Sequence, residues 1–301
     1  MYRLFIFLFF LTCLVPGCKA REEVSSRNVP KAHQIVIGLI PEQNIFRQID
    51  RYQPLVDYLS SKSGLTIRLK VLPGYGNVIN NFISLGIDGA FFGSFTYVLA
   101  HAKLVVEVLA RPENIDGIST YCGLIFARKD SGIKSVKGMR GKRFAFVDKG
   151  TTAGYLFPVE YFYKGGIKNY RAYLKEVYYT GTHEDAIYDV RNGKADIGAA
   201  KNTIFERLAA ADSSIKDELR IIEKSPDVPE NGLAVRKDLD GTIKEKLKQS
   251  LLTMHETAEG QKVLKEFGAR KFIETRDEDY EPVYKYAREI DIDLRTYDMS
   301  E

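Results

Sequence analysis

Arg143-Phe144-Ala145-Phe146-Val147-Asp148-Lys149-Gly150-Thr151-Thr152-Ala153-Gly154-Tyr155-Leu156 decides the reading of this chain. Aromatic and β-branched residues at 143–147 predict a short buried strand, Gly150 a turn, and the paired threonines the opening of a helix. Backbone N–H groups, two hydroxyls and the positive end of a helix dipole would then face one spot. Hydrogen-bond donors in that arrangement, without a cluster of fixed charges, suit capture and release of a small oxyanion. The plainer alternative is that Thr151 or Thr152 only caps a helix.

The same grammar extends outward in both directions. Apolar runs at 35–40, 66–72, 88–93, 121–127, 176–179 and 195–199 alternate with amphipathic stretches, which predicts α/β lobes with mainly parallel sheets. Tyr75-Gly76-Asn77 is expected to start a helix that carries Val78, Ile79, Phe82 and Ile83 on one face. Thr242 and Glu245 have capping-box spacing, and Ser225 to Pro229 reads as a crossing strand. The segment 193–199 echoes 85–91: in each a helix ends and an aspartate opens a strand of small residues. A length of 301 residues exceeds a comfortable single core and predicts two lobes.

Met1 to Gly17 has the basic start and apolar run of a signal peptide, too short to span a bilayer. Val15-Pro16-Gly17-Cys18 is similar to a bacterial lipobox, with Pro16 departing from the usual small residue. Cys18 is therefore expected to carry the lipid anchor, with 18–33 as a polar tether. The alternative is ordinary cleavage near Gly17 or Ala20. Cys122 is then the one cysteine of the folded body, so no disulfide framework is expected. The four histidines are scattered and predict no metal site, and no cofactor motif is present. Net charge is +4, and +3 once Arg3 leaves with residues 1–17; the basic residues form no stripe, which argues against nucleic-acid binding.

Four motifs in order carry a resemblance: Tyr75-Gly76-Asn77-Val78-Ile79 with Asp88 to Gly93; Tyr121 before Arg128 to Ile133; Thr151 to Pro158; and Gly181-Thr182-His183-Glu184. With them the chain resembles the phosphonate-binding family of ABC-transporter substrate-binding proteins, over about 35–281. The resemblance implies a type II periplasmic-binding-protein-like fold: two lobes of mixed sheets flanked by helices, with a ligand cleft between them. Lobe 1 would comprise 34–120 and 232–301, and lobe 2 would comprise 121–231. It also implies oxyanion contacts from Tyr75, Tyr121, Thr151, Thr152 and His183, and from the backbone of Ala153, where relatives often have serine.

Acidic side chains that hold an ammonium in aminoalkyl-phosphonate binders would fall here at Thr203 or Ile204 and at Asn231, none of them charged. A ligand of the phosphonate, phosphite or phosphate type is therefore expected, with Glu230 as a neighbour able to compensate. The implied partners are that small oxyanion, an ABC permease and the membrane through the anchor, which places the protein at the periplasm or cell exterior. Beside this stand a degenerate binder whose ligand is not a phosphorus compound and two further rivals. One is a sensory lipoprotein that reports to a signalling partner. The other is an enzyme pairing Cys122 with His183, although no catalytic motif supports it.

Overall fold

The computed structural model describes residues 34–80 and 82–299, with 76 and 77 described by their backbone alone. The expected signal segment 1–17, Cys18 and the tether 18–33 lie outside the described residues. Strands follow in the order β1 (Gln34–Leu39), β2 (Thr66–Val71), β3 (Gly89–Phe92), β4 (Val106–Asn114), β5 (Thr120–Tyr121), β6 (Gly123–Arg128) and β7 (Arg143–Phe146). They continue with β8 (Glu176–Tyr179), β9 (Ile197–Lys201), β10 (Leu219–Lys224), β11 (Val228–Pro229), β12 (Gly232–Arg236) and β13 (Ala269–Glu274).

These build a six-stranded sheet, β13-β4-β12-β3-β1-β2, and a five-stranded sheet, β10-β6-β9-β7-β8. A two-stranded ribbon, β11-β5, runs where the chain passes between them. Each large sheet has a parallel heart. β1 pairs in parallel with β2 and β3, and β7 with β8 and β9. Strands buried on both faces must be apolar throughout, and Ile35, Ile37 and Leu39 in one sheet and Phe144, Ala145 and Phe146 in the other are fully buried. Parallel pairing requires a crossover, so the three strands of each heart open their carboxyl ends along one edge.

The crossover helices form for local reasons. Helix Ile45–Ser63 is capped by Asn44, whose side chain accepts from Phe46 N and Arg47 N, and is stopped by left-handed Gly64 at φ 69°. Its Tyr52, Leu55, Val56 and Leu59 stripe packs on the six-stranded sheet with Phe91 and Leu233.

Two local expectations are corrected. The helix starts at Tyr75 as expected but ends at Asn80, so Ile83 lies beyond its end and is 82% exposed. Helix Gly241–Leu252 is capped by Asp240, which accepts from Thr242 N and Ile243 N. A carboxylate two residues earlier is the stronger acceptor at a positive helix end, so no Thr242–Glu245 box forms. No described helix is long and apolar enough to cross a membrane.

Candidate functional site

Six strand ends meet at the junction of the two sheets. From the five-stranded sheet come Asp148 to Thr152 after β7, Thr180 to His183 after β8, and Lys201 at the end of β9. From the other come Ile40 to Glu42 after β1, the turn before Tyr75 after β2, and Gly93 to Thr96 after β3. Thr180 N and Gly181 N donate to Phe146 O and Val147 O, both at 2.9 Å, which holds the loop before His183 against the end of β7.

The threonine turn differs from a simple capped helix. A single π-turn, Thr152–Leu156, runs into helix Phe157–Lys164, and Thr151 at the cap position makes no side-chain cap. Its hydroxyl donates to Asp148 O at 2.7 Å. Thr152 Oγ1 accepts from Phe95 N at 2.9 Å, and Thr96 Oγ1 donates to Gly150 O at 2.8 Å. The start of helix Ser94–Leu104 in one lobe thus docks on the turn of the other. Thr152 Oγ1 also lies within hydrogen-bonding reach of the Tyr121 hydroxyl, and the first-turn N–H groups have no intrahelical acceptor. Ala153 is buried, with its Cα 3.1 Å from where a Cβ on Gly123 would stand. Two small residues here let β6 and the turn approach closely.

Tyr75 lies across from the turn, its Cβ 3.2 Å from the place of a Cβ on Gly150. It is 3% exposed, and its hydroxyl has no hydrogen-bond partner among the described residues. Burial, then the carboxylates of Glu42 and Asp148, push this phenol well above its usual value, so it acts only as a neutral donor. Tyr121 sits in the ribbon, buried, with its hydroxyl among those of Thr152 and Ser94.

His183 opens helix His183–Arg191, capped by Thr182, which accepts from Asp185 N. Its N–H donates to Glu42 O at 3.0 Å, and its Nδ1 accepts from Lys201 N at 3.3 Å. The ring proton is thereby assigned to Nε2. Burial pulls the imidazole down to about 4 against the opposing charge of Glu42, so the ring is neutral at pH 7.

Asn231 Oδ1 and Thr96 Oγ1 lie 3.6 and 3.8 Å from where a Cβ on Gly93 would stand. Asn231 Oδ1 accepts from Lys201 Nζ at 3.0 Å, in a buried cluster with Glu42 and Glu230. Burial raises the Glu42 carboxyl, but the ammonium of Lys201 outweighs it, helped by Arg51 and, once its ring protonates in acid, by His183, and Glu42 is held at about 2. Glu230, expected only as a neighbour able to compensate, stands here together with Glu42, and the chain's own lysine pairs with both. Lys201 escaped the motif reading because it closes a strand of small residues. A lone cation at the carboxyl end of a buried strand was the available signal.

A cavity of about 660 Å³ opens beside this cluster, lined by Glu42, Tyr52, Lys201, Thr203, Glu230 and Asn231 among others. A cavity of about 760 Å³ around Phe82, Ile83 and Arg236 includes none of the expected site residues. The described residues hold no group of His, Cys, Asp and Glu suited to a metal ion.

The family described as ABC transporter, phosphonate, periplasmic substrate-binding protein matches residues 37–280. The chain belongs to this family. Among its relatives, the phosphate-import protein PhnD of Mycolicibacterium smegmatis is 28% identical over 225 residues, 71% of this chain and 70% of its own length. The phosphonates-binding periplasmic protein of Escherichia coli is 25% identical over 288 residues, 94% of this chain and 82% of its own. The solved structure of PhnD1 from Prochlorococcus marinus in complex with methylphosphonate superposes with TM-score 0.76 at 20% identity, covering 86% of this chain and 99% of that one. The fold is thus the two-lobed type II periplasmic-binding fold expected from the resemblance. The phosphonate-binding family serves ABC importers from the periplasm, so the protein is an exported solute receptor.

Proposed function

We propose that this protein captures a compact phosphorus oxyanion (phosphonate, phosphite or phosphate) between its lobes and presents the closed form to an ABC permease. Tyr75, Tyr121, Thr151, Thr152, the N–H of Ala153 and His183 are the contacts. One observation carries the assignment: six strand ends bring neutral donors from both lobes to one place, where the buried Tyr75 hydroxyl lacks a partner among the described residues. Asn231 acts through Lys201 and shapes the floor beside the oxyanion. Four to six hydrogen bonds to a charged group, at roughly 1.5–3 kcal/mol each, less the cost of closure, leave about 8–10 kcal/mol. That corresponds to roughly micromolar or tighter dissociation.

The lobe limits follow strand membership, with 34–120 and 232–301 in lobe 1, 121–231 in lobe 2, and the β5–β11 ribbon as the hinge. Closing on ligand shifts the open–closed equilibrium by differential binding. The lipobox-like Val15 to Cys18 supports acylation of Cys18 and attachment to the membrane surface, with 1–17 removed. The protein is a receptor and not a catalyst. Burial, then Asp227, pushes the Cys122 thiol up, and the His183 acceptor nitrogen is committed to Lys201 N, so no thiolate–imidazole pair is set.

Calorimetric titration of the chain lacking residues 1–20 with phosphite, phosphate and methylphosphonate tests the reading, and heat from none of them overturns it. Thr152→Val and His183→Ala are each expected to weaken binding roughly tenfold or more while the protein stays folded by circular dichroism. Wild-type affinity in both variants would remove the site assignment. Tyr75→Phe has opposite effects in the two states. It removes a buried hydroxyl that lacks a partner, so the ligand-free protein should melt at the same temperature or higher. Its affinity for the oxyanion should fall roughly tenfold, through loss of one hydrogen bond to a charged group. A lower melting point without ligand would show that this hydroxyl is already bonded.

A further inference from the structure

The Lys201 ammonium lies where four groups from distant parts of the chain converge. Glu42 Oε1 is at 3.2 Å, Asn231 Oδ1 at 3.0 Å, Glu230 Oε1 in direct contact, and the Tyr121 ring face has its centroid 4.3 Å away. Lys201, Glu42 and Asn231 are buried, with Lys201 only 3% exposed. Two carboxylates, an amide oxygen and an aromatic face form a cage whose chemistry selects an ammonium ion. The cage adjoins the oxyanion site directly. The far end of Tyr121 meets Thr152 and Ser94, and His183 is bonded on one side to Glu42 O and on the other to Lys201 N. A cage for a cation beside donors for an oxyanion would suit a zwitterion, yet here the cation is part of the protein.

We propose that Lys201 is a specificity-determining residue: its tethered ammonium fills the cage and excludes ligands that carry an ammonium of their own, leaving oxyanions without a cationic substituent. The inference rests on the oxyanion reading given above. A ligand ammonium would have to displace a group held at high effective concentration by its own backbone. It would otherwise have to sit, desolvated, against a like charge. Glu42 and Glu230 exceed Lys201 by one negative charge, so what excludes a second ammonium is the filled and buried position between them, not a lack of negative charge. Truncation at 201 keeps Glu42, Glu230, Asn231 and the Tyr121 face while removing the cation. A free or ligand-borne alkylammonium then becomes the group that fits.

The test is calorimetry with methylphosphonate and 2-aminoethylphosphonate on the purified wild type, Lys201→Ala and Lys201→Ala/Glu230→Gln. Wild type is expected to prefer methylphosphonate by roughly 100-fold or more, and Lys201→Ala to move that preference toward the aminoethyl compound by a similar factor. Adding Glu230→Gln should cancel most of the gain. Millimolar methylammonium should raise the melting temperature of Lys201→Ala and leave wild type unmoved, whereas the change of ligand preference is the readout that a merely structural lysine would not move. A folded Lys201→Ala that still binds methylphosphonate with unchanged preference overturns the inference alone. Equal binding of both compounds by wild type overturns it as well, and can be read even if the variant does not fold. Wild type that binds neither compound nor phosphite removes the oxyanion reading, and this inference with it.

Discussion

Gly154→Ala is expected to cost the protein about 2–3 kcal/mol of stability and to weaken oxyanion binding roughly 100-fold or more. A Cβ at 154 would fall on the Val147 side chain and stand 2.8 Å from Thr151 Oγ1. Neither neighbour can yield. Val147 is fully buried at the end of β7, its N–H donates to Gly154 O at 3.1 Å, and its carbonyl accepts from Gly181 N at 2.9 Å. The added methyl must therefore unwind the π-turn or push the strand end, and both movements displace Thr151, Thr152 and the Ala153 N–H. Hydrogen bonds weaken steeply once angles leave the favourable range, so a small shift of several donors together removes most of the affinity. Gly241→Ala is the control: nothing lies within 4 Å of its Cβ position, and stability should be unchanged or slightly higher. Thermal melts and titration of both variants decide the matter, and identical behaviour of the two would discredit the packing argument.

Acidification from pH 7 to pH 4 should remove about 3 kcal/mol of stability through His183 alone. The ring is held at about 4 in the folded protein against 6.5 ordinarily, and each unit is worth about 1.4 kcal/mol. The sign follows from proton counts. Between pH 6.5 and 4 the unfolded chain binds a proton at this residue and the folded chain does not, so stability falls as pH falls through that window. Glu42, depressed from 4.5 to about 2, adds a separate loss of similar size from pH 4.5 downward, because its paired carboxylate must be protonated. Urea midpoints measured from pH 3.5 to 7.5 should show the first loss in wild type and its absence in His183→Gln, with the lower-pH loss kept in both. An unchanged slope in His183→Gln would show that the residue is not buried neutral. Ligand binding above pH 5 should show no histidine titration, since Nε2 keeps its proton throughout.

Much of the fold was legible from local pattern. Buried parallel strands demand continuous apolar runs, so 35–40 and 143–147 were recognisable as strands without any partner in view. The cap at Thr182, whose side chain accepts from Asp185 N three residues on, is likewise a local arrangement. Thr151 misled, because its hydroxyl found Asp148 O, an acceptor supplied by the turn geometry and not by the helix. Ile83 misled because the helix it was assigned to stops at Asn80. The site was half legible. Hydroxyls, tyrosines and His183 sit in motifs that can be read in one dimension. Glu42, Lys201 and Glu230 carry no such motif.

Sequence by itself determined the strand–turn–helix chemistry of each donor loop, because periodicity, caps and glycine turns act over a few residues. Only the tertiary structure decided that Lys201 would stand between Glu42 and Glu230, charges separated by 159 and 29 positions along the chain. Sheet order and the crossing ribbon set that meeting. A buried ammonium is tolerable only where such distant carboxylates arrive together, so the character of the pocket is a property of the assembled lobes.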